Sequence, residues 1–236
     1  MKREINDIVN WLKEKVAEAG AKGVVFGLSG GIDSAVVGAL CKKAFGEDAL
    51  GIIMPIHSDQ RDEEDARLVA KSIGLNIEKV DMSDTFDEYL KASFVSEKLM
   101  ARSNIKPRLR MMTLYYYAQD RNYLVAGCSN ASEFYIGYFT KYGDSGADII
   151  PLAEFLKDEV YALARELEIP EKIIDKVPTA GLFENQSDER EMGFTYRDLN
   201  AYIRGDKIDD EIAQKIKRMH QNSEHKRHYA SIYKRK

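Results

Sequence analysis

The sequence predicts an α/β fold, a doubly wound parallel sheet flanked by helices and continued by a helical C-terminal extension. Three observations carry this reading. Short apolar runs suited to buried parallel strands alternate with amphipathic or small-residue helical stretches. A glycine-rich loop stands between the first run and its helix, and after Gly127 the alternation gives way to irregular chain and then helices.

The elements follow in order. Ile5, Ile8, Val9, Leu12 and Val16 share one face of an N-terminal amphipathic helix, with charges opposite. Residues 24–28, VVFGL, form a first buried strand, and a small-residue helix over 33–45 is closed by Gly46. A second strand over 50–54 is stopped by Pro55, and a charged amphipathic helix over 61–73 ends at Gly74. Residues 77–80 read as a third strand. One long helix is expected over 82–100, with Phe86, Leu90, Phe94 and Leu99 as its apolar positions. Pro107 opens another helix through Tyr117, before a fourth strand over 123–127.

Gly137, Gly143 and Gly146 then mark irregular chain, and Pro151 precedes a helix over 153–167. Pro170 and Pro178 bracket a short helix. Residues 179–193 contain two glycines and few apolar anchors, which predicts a mobile loop, and helices resume at Tyr196 and Asp209. With no internal repeat and no low-complexity linker, residues 1–236 read as one domain. Its core spans about 20–180, and the loop and helical part span 180–236.

Composition bounds the function. The 236 residues hold 35 Lys plus Arg against 39 Asp plus Glu, a net charge of −4, with 44% hydrophobic content. That excludes a disulfide-stapled mini-protein and a wholly disordered chain. Two cysteines, Cys41 and Cys128, build neither a disulfide framework nor a Cys-rich zinc site, so a reducing compartment is expected. The N-terminal helix is not a signal peptide and no apolar run is long enough to span a bilayer, so the expected location is cytoplasmic, without membrane contact. The sequon matches at 130–132 and 185–187 are then read as chance. Charge is uneven: residues 215–236 carry eight basic side chains and one acidic, a net +7. The rest of the chain must therefore sum to −11. A basic tail invites a nucleic-acid reading, and its charge alone does not establish one.

Ser29-Gly30-Gly31-Ile32-Asp33-Ser34 follows the first strand and opens the next helix, where open α/β sheets bind ligands. Glycines let the backbone turn sharply and present N–H groups to an anion, and the helix adds its positive end. The loop lacks the lysine of GxxxxGK[ST] and does not fit GxGxxG. It carries Asp33 instead. A carboxylate beside phosphates calls for a bridging cation, so Asp33 reads as a magnesium ligand; the structural alternative is an N-cap on a plain tight turn.

SGGIDS resembles the signature of the ATP pyrophosphatase superfamily, and within it the chain is similar to the ammonia-dependent NAD synthetases over nearly its whole length. The matching stretches, in order, are SGGIDSA at 29–35, MP at 54–55, NIKPRLRM at 104–111, GCSNASE at 127–133, GYFTKYGD at 137–144, PTAGLF at 178–183, QSDE at 186–189 and SEHKR at 223–227. The resemblance implies a Rossmann-like fold, a homodimer with the substrate site at its interface, and ATP-dependent amidation of deamido-NAD by ammonia. Magnesium is the implied metal, and the reaction runs through an adenylate with release of AMP and pyrophosphate. A carboxylate needs this activation because hydroxide is a poor leaving group.

The same resemblance implies the site. Asp33, Glu133 and Asp144 match magnesium positions, with Asp144 alternatively at the ammonium site or a plain turn aspartate. Lys157 and Thr179 match phosphate-contacting positions and supply the cation missing from the glycine loop. Gly27, Ser29, Gly30, Gly31, Ser34, Met54, Arg110 and Cys128 match the remaining ATP site. Arg108, Phe139, Lys141, Asp148, His225 and Lys226 match the deamido-NAD site. Arg108 and Arg110 lie two apart and do not share a helix face, so they serve different ligands or are surface arginines. Without the motifs, Lys157 reads as a surface lysine on an amphipathic helix and Phe139 as core.

The chain departs from the family pattern in four places. Cys128 replaces Thr or Ser, Ala131 replaces Lys, Pro107 replaces Ala, and Tyr229-Ala230 stands where prolines follow HKR. Two other classes compete. A tRNA thiolase or amidotransferase subunit of the same superfamily draws on Cys128 and the basic tail. A nucleotide-sensing module would keep SGGIDS without needing Lys157 and Thr179. The synthetase pattern fills the chain and leaves no room for a glutaminase domain, so free ammonia is the expected nitrogen source.

Overall fold

The computed structural model describes residues 1–179, 181–182 and 187–235. Parts of the PTAGLF and QSDE stretches, of the 185–187 sequon and of the last basic triplet lie outside them.

Helix α1 (Lys2–Glu18) buries Ile5, Ile8, Leu12 and Val16, the stripe its periodicity predicts. Strand β1 (Gly23–Gly27) and helix α2 (Ile32–Phe45) follow, then β2 (Ala49–Ile53), α3 (Gln60–Ile73) and β3 (Asn76–Lys79). After α4 (Ser83–Ala92), α5 (Leu99–Ser103) and α6 (Ile105–Arg121), the chain returns to the sheet as β4 (Tyr123–Val125). The strands lie in the order β3-β2-β1-β4, all parallel, with Val25 beside Leu50 on one side and Val125 on the other.

Two packed cores make the sheet doubly wound. On one face Phe26 meets Leu12 of α1, Leu40 of α2 and Val69 of α3. On the other, Val25 and Ile52 meet Phe86 of α4 with Leu109 and Leu114 of α6. The chain leaves β1 toward β2 and later comes back as β4 on the opposite side, so the strand order reverses between β1 and β4. The loops after these two strands border the crevice where such sheets bind ligands.

Past β4 come α7 (Ala131–Ile136), α8 (Lys157–Glu166), α9 (Glu171–Ile174), α10 (Asp188–Met192), α11 (Tyr196–Arg204) and α12 (Asp210–Asn222). Ile136, Met192, Phe194, Leu199 and Ile216 form a third core that joins the helical extension to α7.

Four expectations need correction. The helix expected over 82–100 stops at Ser93, because no core lies beneath its continuation: Phe94 is 76% exposed and Leu99 47%. The helix expected from 153 starts at Lys157, where the Glu159 carboxylate accepts the Leu156 N–H at 2.7 Å and closes the first turn. The predicted loop 179–193 contains α10, anchored by buried Asp188 and Met192. Helix α7 lies in chain read as irregular, its start capped by Asn130.

Candidate active site

The site begins at β1. Its strand ends at Gly27, and the glycine loop crosses to the start of α2, whose N-cap Gly31 offers no capping side chain. The loop braces itself: the Gly31 N–H donates to Ser29 Oγ at 3.2 Å, and Ser34 Oγ–H donates to the Gly31 carbonyl at 2.9 Å. Gly30 adopts φ +79°, and a Cβ there would meet the Asp62 carbonyl at 2.5 Å, so no other residue fits the turn without moving α3.

Three segments distant in sequence meet at one ammonium. Lys157 Nζ lies 2.6 Å from Asp33 Oδ2 and 3.1 Å from Glu133 Oε1. Asp33 comes from the first turn of α2, Glu133 from α7 and Lys157 from the first turn of α8. A cation at a helix N-terminus opposes the macrodipole, so the two carboxylates are what hold Lys157 there. Lys157 is only 2% exposed, not a surface lysine. Burial works against its charge, but Asp33 and Glu133 outweigh it and hold the proton above the ordinary lysine range. Burial pushes the Glu133 carboxyl up to about 7, Asp33 reinforces the shift and Lys157 opposes it.

Hydrogen bonds from neighbouring side chains fix these groups. Asn130 Nδ2 donates to Asp33 Oδ1 at 2.8 Å, and its Oδ1 accepts the Glu133 N–H at 3.0 Å. The Tyr196 hydroxyl donates to Asp188 Oδ2 at 2.9 Å and stands 3.3 Å from Glu133 Oε1. Tyr138 reaches the other Asp188 oxygen at 3.2 Å. Sequence reasoning missed Asn130, Tyr138, Tyr196 and Asp188 as site residues; the only signal was that Asn130, Tyr138 and Asp188 lie inside matched stretches.

These groups open on a cavity of about 1220 Å³. Among the residues expected at ATP, Gly27, Ser29, Gly31, Ser34, Met54, Arg110, Cys128, Lys157 and Thr179 line it. Arg110 Nε donates to the Met54 carbonyl at 2.9 Å, and Cys128 Sγ approaches the Gly27 carbonyl at 3.9 Å. Asp144 also lines the cavity, its Oδ1 accepting the Thr140 N–H at 2.9 Å; burial pushes its carboxyl up. No cluster of three or more His, Cys, Asp and Glu with metal-holding geometry occurs among the described residues.

The residues expected at deamido-NAD divide. Phe139 and Lys226 line the cavity, with Phe139 buried and stacked on Phe134 at 5.6 Å. Lys226 Nζ donates to the Gly137 and Phe139 carbonyls, each at 2.9 Å. Arg108, Lys141 and His225 form a chain outside it: Arg108 donates to the Lys141 carbonyl at 3.3 Å, and Lys141 to the His225 carbonyl. Asp148 is tied at the end of β4, accepting the Tyr115 hydroxyl at 3.1 Å and the Val125 N–H at 2.8 Å.

A doubly wound sheet with a glycine loop at its switch point and a lysine held between carboxylates below it defines a nucleotide-binding α/β protein. The NAD synthase family model matches residues 4–230, and the chain belongs to that family. It is 54% identical to an NH(3)-dependent NAD(+) synthetase of Finegoldia magna over 230 residues, covering 96% of this chain and 94% of that one. Among solved structures, the NMN synthetase from Francisella tularensis aligns with a TM-score of 0.95 at 37% identity, covering 98% of each chain. The NH3-dependent NAD synthetase from Campylobacter jejuni, in complex with the nitrate ion, aligns at 0.85 and 30%, covering 99% of this chain and 98% of that one.

Proposed function

We propose that this protein is a ligase that amidates the nicotinate carboxylate of deamido-NAD with ammonia, using ATP and releasing AMP and pyrophosphate. The observation that carries this is Lys157, held between Asp33 and Glu133 beside the glycine loop, in a cavity of about 1220 Å³, larger than the roughly 300–1,000 Å³ of an ordinary single-ligand pocket.

A carboxylate oxygen of the substrate attacks the α-phosphorus of ATP, the bond to pyrophosphate breaks, and an NAD-adenylate forms. Ammonia then attacks the acyl carbon, the bond to AMP breaks and a proton leaves. The 29–34 loop and the start of α2 hold phosphate oxygens through N–H and hydroxyl donors. Lys157 and Thr179 neutralise and orient the leaving pyrophosphate. Gly27, Met54, Arg110 and Cys128 bound the nucleoside side. Asp144 accepts the ammonium proton or joins the metal site. Phe139, Lys226, Arg108, Lys141, His225 and Asp148 bind deamido-NAD.

Magnesium fits the residues present: two hard carboxylates, Asp33 and Glu133, already converge on one cation, and substrate phosphates would complete the shell. When bound it supplies charge neutralisation at the triphosphate. Exposed apolar side chains on and before α6, Phe94, Val95, Met112 and Tyr116, support a homodimer that completes the dinucleotide site. No helix among the described residues is long and apolar enough to cross a membrane, and free Cys41 and Cys128 support a reducing, cytoplasmic setting.

A second reading has one observation in its favour. The Francisella protein named an NMN synthetase aligns at a higher TM-score than the Campylobacter NAD synthetase, 0.95 against 0.85, so a mononucleotide acid is the rival acyl substrate. The 54% identity to the Finegoldia synthetase favours the dinucleotide. Purified protein is given ATP, magnesium and ammonium with deamido-NAD or with nicotinate mononucleotide, and amide product and AMP are quantified. Equal amounts of NAD and AMP are expected, with the dinucleotide preferred in kcat/KM. Folded protein that forms no NAD sinks the reading, and preference for the mononucleotide replaces it with the second. Glutamine in place of ammonium should give no product.

A further inference from the structure

Lys176 lies between α9 and Thr179, and three acceptors share its ammonium. Nζ stands 2.9 Å from Asp62 Oδ1, 2.7 Å from Asp65 Oδ2 and 3.5 Å from the Gly30 carbonyl oxygen. A lysine ammonium has three donors and no acceptor, so this arrangement engages every proton. Burial opposes the charge, but Asp65 and Asp62 prevail and raise its proton affinity. Asp65 has a second cation on its other oxygen: Lys172 Nζ lies 2.7 Å from Oδ1. Neutralising Asp65 therefore does not by itself require Lys176.

The Gly30 carbonyl and the Gly31 N–H belong to one planar trans peptide and point in opposite directions. Holding the carbonyl toward Lys176 therefore turns the Gly31 N–H to the other side, where Ser29 Oγ accepts it at 3.2 Å on the cavity wall. Neither glycine has a side chain to restrict the turn, so two contacts hold this orientation, Ser29 Oγ on the Gly31 N–H from within the loop and Lys176 on the Gly30 carbonyl from outside it.

We propose that Lys176 is a positioning residue for ATP. It sets the direction of the Gly30–Gly31 peptide and ties the glycine loop and the start of α3 to the segment that carries Thr179. The proposal rests on reading residues 29–34 as the phosphate loop.

The test compares Lys176→Met, Lys176→Arg and Lys172→Met with the parent chain. Calorimetry gives the Kd for ATP with magnesium, and steady-state kinetics give the KM for each substrate. Lys176→Met should raise the ATP Kd and KM about tenfold, because the Gly30 carbonyl loses the ammonium that stands 3.5 Å from it, and leave the deamido-NAD KM within about twofold. Lys176→Arg keeps the charge and should return the ATP Kd to within about threefold of the parent. Lys172→Met loses an ion pair to the same Asp65 and should leave both KM values within about twofold. An unchanged ATP Kd in Lys176→Met overturns the proposal, as does an equal rise in both KM values, which marks a brace that only stabilises the fold. If Lys176→Met does not fold, Asp62→Ala removes one of the three anchors and should raise the ATP Kd about threefold; no rise overturns the proposal. Binding needs no turnover, so a parent that binds ATP but makes no NAD defeats the enzymatic reading while the Kd ratios still decide this one.

Discussion

Lys157 and Asp33 stand 124 residues apart in the chain and 2.6 Å apart in the fold. The pair joins the first turn of α8 to the first turn of α2, and Glu133 makes it a triad.

Removing Lys157 leaves two partly buried carboxylates facing each other without a cation. Lys157→Met should therefore lower kcat by more than about a hundredfold and destabilise the fold by about 3–5 kcal/mol. Adding Glu133→Gln should restore much of the stability and none of the turnover. Urea denaturation of the single and double variants checks this. A single variant as stable as the parent removes the triad from the account.

Gly30 and Gly20 offer a matched pair, since both have positive φ, +79° and +64°. A Cβ at Gly30 meets the Asp62 carbonyl at 2.5 Å, whereas at Gly20 nothing lies within 4 Å. Gly30→Ala should weaken ATP binding at least about tenfold, and Gly20→Ala should leave it intact at a small cost in stability. Equal ATP affinities in the two variants would contradict the packing of the loop on α3.

Acid stability reports on Asp65. Burial opposes its ionisation, but Lys172 and Lys176 outweigh it and hold the carboxyl below its ordinary 3.8. The unfolded chain then takes up the proton first as pH falls. The stabilisation is complete above 3.8 and is lost as pH drops through the folded value. Urea midpoints followed from roughly pH 5 down to 2 should fall less steeply in Asp65→Asn than in the parent. Parallel curves would mean that the two lysines do not hold this carboxylate.

Neither thiol should react in the native protein. Burial pushes both Cys41 and Cys128 well above the ordinary thiol range, so little thiolate is present at neutral pH. Iodoacetamide should label both in urea and neither in buffer, read by intact mass. Fast native labelling of Cys128 would reopen the sulfur-transfer reading.

Local pattern was enough where one face of an element meets one core. The stripe of α1 and the first three strands fall within a residue of their expected places, because burial follows periodicity there, and β4 starts where expected but ends two residues early, at Val125. It failed where burial depends on what lies opposite. Phe94 and Leu99 have helical spacing, but nothing packs beneath them. Asp188 sits in a polar stretch, and two tyrosine hydroxyls make it an anchor.

The chain's own order of residues determined the α/β architecture, the glycine loop at 29–34 and the family. Each is written in short contiguous stretches whose chemistry is local. Only the tertiary structure decided that Lys157 is buried between Asp33 and Glu133, that Lys176 reaches back to Gly30, and that Arg108, Lys141 and His225 link outside the cavity wall. These are contacts between elements far apart in the chain. A lysine looks the same in sequence whether it faces water or two carboxylates, and the difference is set by which helix ends the sheet topology brings together.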